Sequence, residues 1–502
     1  MNAPLDVVAA IRECPTAGYP ALLQQAIEDP AAISPRRALA DAMRADGVDW
    51  AELIDLQLAW DALSDGERDR NRGNLVSQAE ILRRYPKLHR AVAGELGTRG
   101  PLKMGRGLVE HATIEAATLL ASADELFAQA PITSLSLFPV DDAQAPALAG
   151  LPEMSGVRRL HLAGPAVGDA GVTSLVTSPT LANLVALDLY DAGIGDGTVK
   201  SIATGSSFHA LARLAIADAR LSGASMDALA RGDRLTSLRQ LALEGRWIDE
   251  RVTSVLARSA TLRLELLSLI NARVGSGLGD LAGSPVIQGL RTLILTNAEA
   301  DPSGAVRLIA SLGALETLHL EGCKTGNGAA AALQGSRAAL RSVALRGASL
   351  DASGARTLAE HASDELWRLD LALNAIGDDG AGALGAAAFA PAITRLALDH
   401  NGIGAHGVAA IAAAMPSLVD LNLSGNPIGD EGARLLADAP ALRNVERLVL
   451  LSSGVGPVGA RALLDSPNLE RARRIVLPRD VGPDIRAELR ARAQSLDPLL
   501  AI

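Results

Sequence analysis

From residue 132 onward the chain repeats one short pattern, L-x-x-L-x-L, starting at positions 132, 157, 184, 211, 238, 264, 290, 315, 340, 366, 393, 418, 445 and 472, always 25 to 27 residues apart. The fourth pattern position is Leu except at Val343 and Ile475, and the sixth is Leu except at Ile216. Alternation over so few residues predicts a strand with one buried face, because side chains two apart point to the same side. Such a strand cannot cover its own leucines. A fixed period lets successive units stack in parallel, so that each leucine layer covers the next and each buried leucine contributes about 1.5 to 3 kcal/mol. One core can then extend along an axis through most of the 502 residues.

The remainder of each unit reads as a turn and a helix, most plainly at Asn374-Ala375-Ile376-Gly377-Asp378-Asp379-Gly380-Ala381 and Asn426-Pro427-Ile428-Gly429-Asp430-Glu431-Gly432-Ala433. Asp378 and Asp430 are expected to cap the helices that follow them. Asn374, Asn401 and Asn426 share the ninth position, where a short amide satisfies backbone groups leaving the strand. Cys323 has the same register and is expected to stand in for Asn rather than to act as a nucleophile. Gly171, Gly304, Gly354, Gly380, Gly407, Gly432 and Gly459 each fall fourteen residues after a pattern start, where a missing side chain would bring helix and strand close.

Leu418-Val419-Asp420-Leu421-Asn422-Leu423-Ser424-Gly425-Asn426-Pro427-Ile428-Gly429-Asp430-Glu431-Gly432 resembles the ribonuclease-inhibitor type of leucine-rich repeat, and the likeness extends over about residues 132–478. The resemblance implies an α/β leucine-rich-repeat solenoid of about 13 full units and a terminal strand. It further implies a horseshoe, with parallel strands concave and helices convex, that works by wrapping a partner. Units here are slightly short, and Ala192, Ala219, Ala272, Ala298 and Ala348 replace the ninth-position Asn, so the curvature is left open.

Residues 1–64 read as a small all-α domain. Pro20 to Pro30 spans a short helix; Ser34 caps a second, with Pro35 at its first position and Gly47 past its end. Asp49 and Glu52 have capping-box spacing ahead of Trp50, Leu53, Ile54, Leu56, Leu58 and Trp60, whose near-continuous apolar surface predicts the centre of that domain. Residues 65–131 are expected to form a helical connector and N-terminal cap: an exposed charged helix over 65–90 and an amphipathic helix over 113–130. Residues 479–502, with Ile485, Leu489 and Leu496, predict a C-terminal capping helix. Leu22-Leu23-Gln24-Gln25-Ala26-Ile27-Glu28-Asp29-Pro30, Arg37-Ala38-Leu39-Ala40-Asp41-Ala42 and Leu53-Ile54-Asp55-Leu56-Gln57 resemble the bacterial repeat-companion domain, which implies no activity of its own.

A net charge of −10 argues against nucleic acid, whose backbone selects a clustered positive field. Cys14 and Cys323 form no framework, the start Met1-Asn2-Ala3-Pro4-Leu5-Asp6 lacks a secretory pattern, and no apolar run reaches spanning length; the expectation is a cytoplasmic protein away from membranes. Gly326-Asn327-Gly328-Ala329-Ala330-Ala331 imitates a dinucleotide loop but falls at the strand-to-helix turn of one repeat. There is no Walker A, His-Glu-x-x-His or Cys-x-x-Cys sequence, and the eight histidines are scattered. No cofactor, metal or enzymatic activity is expected.

What remains is the outward strand face, made by the third, fifth and seventh pattern positions. Early repeats place Arg159, His161, Asp188, Tyr190, Asp191 and Arg213 there or just beyond; later repeats place Arg368, Asp370, Arg395, Asp399, His400, Asp420, Asn422 and Arg447. Polar clusters separated by small apolar strips suit a protein partner, with Tyr190 as an anchor, so the expected role is an adaptor or scaffold. The same charges also fit simple pairing between neighbouring strands. Two alternatives stay open: a GTPase regulator, by likeness to the repeats of the Ran GTPase-activating protein, and an enzyme whose site assembles from distant repeats.

Overall fold

A computed structural model describes residues 7–29, 31–63, 73–93, 102–191, 193–205, 208–232, 234–335 and 339–496. Met1 to Asp6, Pro30, residues 65–72, Ala192 and residues 497–502, on which some expectations fell, lie outside the described residues. Two compact units divide the chain, residues 1–241 and 242–502.

The first unit opens with helices α1 (Val7–Ile11), α2 (Pro20–Glu28), α3 (Ser34–Ala45), α4 (Trp50–Asp61), α5 (Gly73–Leu82) and α6 (Pro86–Ala93). Trp50, Leu53 and Ile54 of α4 are fully buried, as their apolar run implies. The capping box does not form. Asp49 sits in helical backbone with no capping bond, and its carboxylate instead binds Arg84 and accepts from Tyr85 Oη (3.1 Å). Ser34 likewise caps nothing, because the preceding Ile33 already has helical angles and α3 starts at Ser34. The stretch expected as one exposed connecting helix is two helices whose Ile81, Leu82, Leu88 and Ala91 are buried.

A larger difference concerns residues 102–114, most of which fall between the helices expected over 65–90 and 113–130. They form an antiparallel hairpin, β1 (Leu102–Gly105) and β2 (Leu108–Ile114), and β2 pairs in parallel with the first repeat strand, β3 (Ser134–Leu137). The helical region docks on this hairpin through polar bonds. Trp50 Nε1 donates to the Gly107 carbonyl (2.8 Å), Gly107 N donates to Gln57 Oε1 (2.6 Å), and the buried Arg36 pairs with Glu110 (2.7 Å). Gly107 has a φ of 84°, and a Cβ there would lie 2.1 Å from Ile54 Cγ1, so only glycine fits. Helix α7 (Ala116–Gln129) then leads to β3.

All fourteen expected repeat strands form, each starting at the third pattern position. After β3 come β4 (Arg159–Ala163), β5 (Ala186–Tyr190), β6 (Arg213–Ala217), β7 (Gln240–Glu244), β8 (Leu266–Ile270), β9 (Thr292–Thr296) and β10 (Thr317–Glu321). The last six are β11 (Ser342–Ala344), β12 (Arg368–Asp370), β13 (Arg395–Ala397), β14 (Asp420–Asn422), β15 (Arg447–Val449) and β16 (Arg474–Val476). Within each unit the strands lie side by side in chain order with helices between them, an α/β solenoid architecture. The registers match like to like: Leu135 beside Leu160, Leu369 beside Leu396, Leu396 beside Leu421. These leucines are buried, so the ladder read from the pattern is the core.

The chain leaves twelve of the fourteen repeat strands by the same backbone device. From Gly164 to Ser452 the eighth pattern position of all twelve repeats has a positive φ. Most of these positions hold Gly, Asn or Asp, the residues that tolerate it. Leu373 (φ 59°), His400 (φ 55°) and Ser452 (φ 51°) are the exceptions. Buried ninth-position side chains then satisfy the carbonyls this turn frees: Asn401 Nδ2 donates to the Leu371 and Leu398 carbonyls (2.8 and 3.1 Å), and Asn426 repeats the arrangement. Cys323 points its Sγ at the Leu295 and Ala298 carbonyls (3.8 and 3.7 Å) in the same way. Burial raises its pKa, which opposes thiolate chemistry.

Two expectations about the turns need correcting. Asp378 and Asp430 do not cap their own helices; Asp378 accepts from the N–H groups of Gly404 and Gly407 (2.6 and 3.0 Å), and Asp430 from those of Gly456 and Gly459 (2.7 and 2.9 Å). Each caps the helix of the next repeat. Asp142 and Asp169 do the same in the first unit. The fifteenth-position glycines admit this cap and the preceding helix rather than a strand: a Cβ on Gly407 would meet Asp378 Oδ1 at 2.6 Å and Ala381 Cβ at 3.0 Å.

The C-terminal helix Pro483–Leu496 contacts the last repeat, with Ile485 buried and Arg461 bound to Glu488 (2.6 Å). Replacing Asp430 by Ala should lower unfolding stability by about 1 kcal/mol, because the orphaned donors belong to a neighbouring helix. Leu396→Ala should cost about 2 to 5 kcal/mol. Urea titration followed by circular dichroism measures both. Deleting residues 1–131 should give aggregated protein on size exclusion, since it bares the β3 edge that β2 covers.

Candidate interaction face on the strands

In the first unit the outward positions form a small polar cluster. His161 stacks on Tyr190 with ring centroids 4.9 Å apart and an interplanar angle of 27°. Asp188, the partner of His161 in the strand register, accepts from Arg213 Nε (3.1 Å). His111 of β2 joins the same face, with Nδ1 2.8 Å from Ser134 Oγ. Arg159 and Asp191 are exposed, and neither makes an ion pair among the described residues; Asp191 has a φ of 47° and serves the turn. Tyr190, expected as an exposed anchor, is half-buried by its stack on His161.

The exposed aromatic is instead Phe138, which is 59% accessible. It sits at the seventh pattern position of the first repeat, so the outward periodicity that located Tyr190 also contained it.

The second unit brings its expected residues closer together. Asp399 accepts from Asn422 Nδ2 (3.0 Å) and from Arg346 Nη2 (3.3 Å); Arg346 also approaches Glu321 (3.6 Å) and Asp370 (4.0 Å). Asp420 receives two bonds from Arg447 Nη1 (2.9 and 3.1 Å). The Arg395 guanidinium lies 5.9 Å from the centre of the Trp367 ring. These side chains surround an open hollow of about 200 Å³ floored by Leu369, Leu396 and Ala397. His400 stays outside it, with its imidazole laid over Gly425, where a Cβ would be 2.3 Å from Nδ1.

Arg346 and Trp367 were not singled out from the sequence. Arg346 occupies an outward seventh position, so its exposure was legible, whereas its reach over two strands to Asp399 was not. Asp399 is buried rather than exposed, so its carboxylate depends on the partners Arg346 and Asn422. Gly326-Asn327-Gly328 is a turn, as expected: Asn327 exchanges bonds with Asp351 of the next repeat (2.8 and 3.1 Å), and the helix after it has five residues. Among the described residues no group of three or more His, Cys, Asp or Glu is placed to hold a metal, and no helix is long and apolar enough to cross a membrane.

Burial shifts several titrations on this face. It lowers the pKa of His111 to about 4, helped by Lys103, and that of His319 to about 4, helped by Arg368. It also lowers His161, against the pull of Asp188, and raises the Asp370 carboxyl above its usual range. A histidine whose folded pKa lies below its unfolded value of about 6.5 stabilises the fold at higher pH. That contribution is complete above about 6.5 and is lost as pH falls toward 4. The imidazole C2–H resonances of His111 and His319 should therefore remain in the neutral position at about pH 5.5, where an unperturbed His is mostly protonated. Proton NMR titration checks this.

Three segments, 366–385, 391–412 and 414–437, match the family model described as Leucine Rich repeat. Comparison with curated proteins finds no match. Among solved structures, the chain is similar to one in the crystal structure of the Rad7 and Elc1 complex in yeast, at 15% identity over 68% of this chain and 83% of that one, with a TM-score of 0.49. It is also similar to an internalin (inlF) from Listeria monocytogenes, at 17% identity over 72% of this chain and 92% of that one, with a TM-score of 0.44. With the period, the strand registers and these matched segments together, the chain carries leucine-rich repeats folded as an α/β solenoid.

Proposed function

We propose that this protein is an adaptor or scaffold that binds another protein through the outward face of its repeat strands. The observation that carries the reading is the form of the second unit's polar cluster: eleven residues from five successive strands surround a hollow of only about 200 Å³. Ligand-enclosing sites usually measure about 300 to 1,000 Å³ and bury most of their ligand. A broad, shallow face with charges already oriented by partners fits a protein surface, which supplies area rather than depth. Tyr190 and Phe138 add aromatic area to the first unit's face.

On this reading the protein works in the cytoplasm without chemistry of its own. Residues 1–64 act as a repeat-companion-like domain, residues 65–131 and 479–502 close the two ends, and residues 132–478 present the face.

Affinity capture from the native host followed by mass spectrometry tests the reading. Tyr190→Ala and Arg395→Glu, one in each unit, should each reduce capture of a partner, a buried anchor being worth about 2 kcal/mol or roughly thirtyfold in affinity. Thermal melts of both variants should stay close to the parent's. Capture that is indifferent to both substitutions, with melts unchanged, rejects the strand face as the binding surface.

A further inference from the structure

The hollow on the second unit's face has a specific origin. Along the fifth pattern position the register runs Asp370, Ala397, Asn422 on β12, β13 and β14. The methyl of Ala397 between two longer side chains leaves the depression. Its rim carries four arginines, Arg346, Arg368, Arg395 and Arg447, against three aspartates, Asp370, Asp399 and Asp420.

The carboxylates are already engaged. Asp420 is held by Arg447, Asp399 by Arg346 and Asn422, and Asp370 accepts from the Ala372 N–H (3.0 Å). Arg368 is half-buried on the rim beside Asp370, and its guanidinium makes no hydrogen bond or ion pair among the described residues. The Arg368 fork is what the rim offers to an anion, and a guanidinium fork matches a carboxylate in shape and charge.

Leu373, whose N–H donates to the carbonyl of the lining residue Asp399 (2.8 Å), and Leu451 stand in solvent. Leu373 is 48% accessible and Leu451 43%. Leu373 also holds a φ of 59°, at a position where most other repeats place Gly, Asn or Asp. A bulky residue kept in that conformation while exposed is retained for its surface and not for its backbone. A free inorganic anion has no use for such a neighbour; a peptide does.

We propose that the hollow over Ala397 receives a carboxylate side chain of the protein partner, held by Arg368, while an adjacent apolar side chain of that partner packs on Leu373. This rests on the interaction reading above and names the chemistry the partner must present: an acidic residue next to an apolar one in an extended, accessible segment.

The test uses the full chain and a fluorescein-labelled peptide, Gly-Gly-Glu-Leu-Glu-Leu-Gly-Gly, followed by fluorescence anisotropy at low salt. The peptide should bind, its Glu-to-Gln counterpart should bind at least about tenfold more weakly, and excess inorganic phosphate should not displace it fully. Arg368→Gln and Ala397→Leu should each weaken binding by about tenfold, the first by removing the fork and the second by filling the hollow. Leu373→Ala should weaken it severalfold. Circular dichroism melts confirm that the variants are folded; Arg368→Gln, a half-exposed position, keeps the test valid if Ala397→Leu disturbs the strands.

Absence of binding by the glutamate peptide, equal binding of both peptides, or binding unchanged in folded Arg368→Gln overturns the proposal. If the peptide fails while host-partner capture still depends on Tyr190 or Arg395, the acidic-partner proposal alone falls and the interaction reading stands.

Discussion

Leucines at the fourth and sixth positions of each repeat are buried in register with their counterparts one repeat away, so the core is completed only when a neighbour is in place. Everything else follows from keeping neighbours in register. Parallel strands fix the vertical spacing, and the positive-φ residue at the eighth position turns twelve of the fourteen repeat strands out by the same route. Asn374, Asn401 and Asn426 then tie that turn to carbonyls of their own strand and the one before it. The aspartate caps add a third link, since the carboxylate that completes one helix is carried by the preceding repeat. Coupling between neighbours is therefore polar at the turns and apolar in the core, the pairing expected of a quasi-one-dimensional fold.

A stack built this way has ends that need covering. At the N-terminal end the chain extends the sheet with the β1–β2 hairpin, so β3 is paired on both sides. The helices before it are anchored to that hairpin by Trp50, Gln57 and Arg36, whose buried polar atoms find partners on Gly107 and Glu110. Fastening by directed hydrogen bonds gives the N-terminal helices one docking geometry on the hairpin, which apolar contact alone would leave less defined.

The same repetition explains why the outward face can carry function without disturbing the fold. Substitution at third, fifth and seventh positions leaves the leucine layers untouched, so charges can accumulate there. They interact across strands as cross-strand pairs do. Arg346 bridges to Asp399 two strands away, Arg447 binds Asp420, and the small Ala397 lies in the floor of the hollow between them.

The sequence by itself determined the solenoid. Period, strand positions and the buried ladder were legible because they depend on side-chain alternation, which is local and repeats fourteen times. The roles of Asn401, Asn426 and Cys323 were legible for the same reason, a fixed offset from the strand. Tertiary structure decided what lies between repeats. Asp378 and Asp430 look like caps of their own helices in sequence, but the N–H groups they reach belong to chain about 26 residues further on. The β1–β2 hairpin was hidden because its stability comes from pairing with β3 and packing under α4, not from its own short strands. On the face, the pattern named which residues point outward, including Arg368, Asp370 and Asp399, but not which of them pair. Pairing depends on side-chain reach across neighbouring strands, and that is fixed only once the strands are laid side by side.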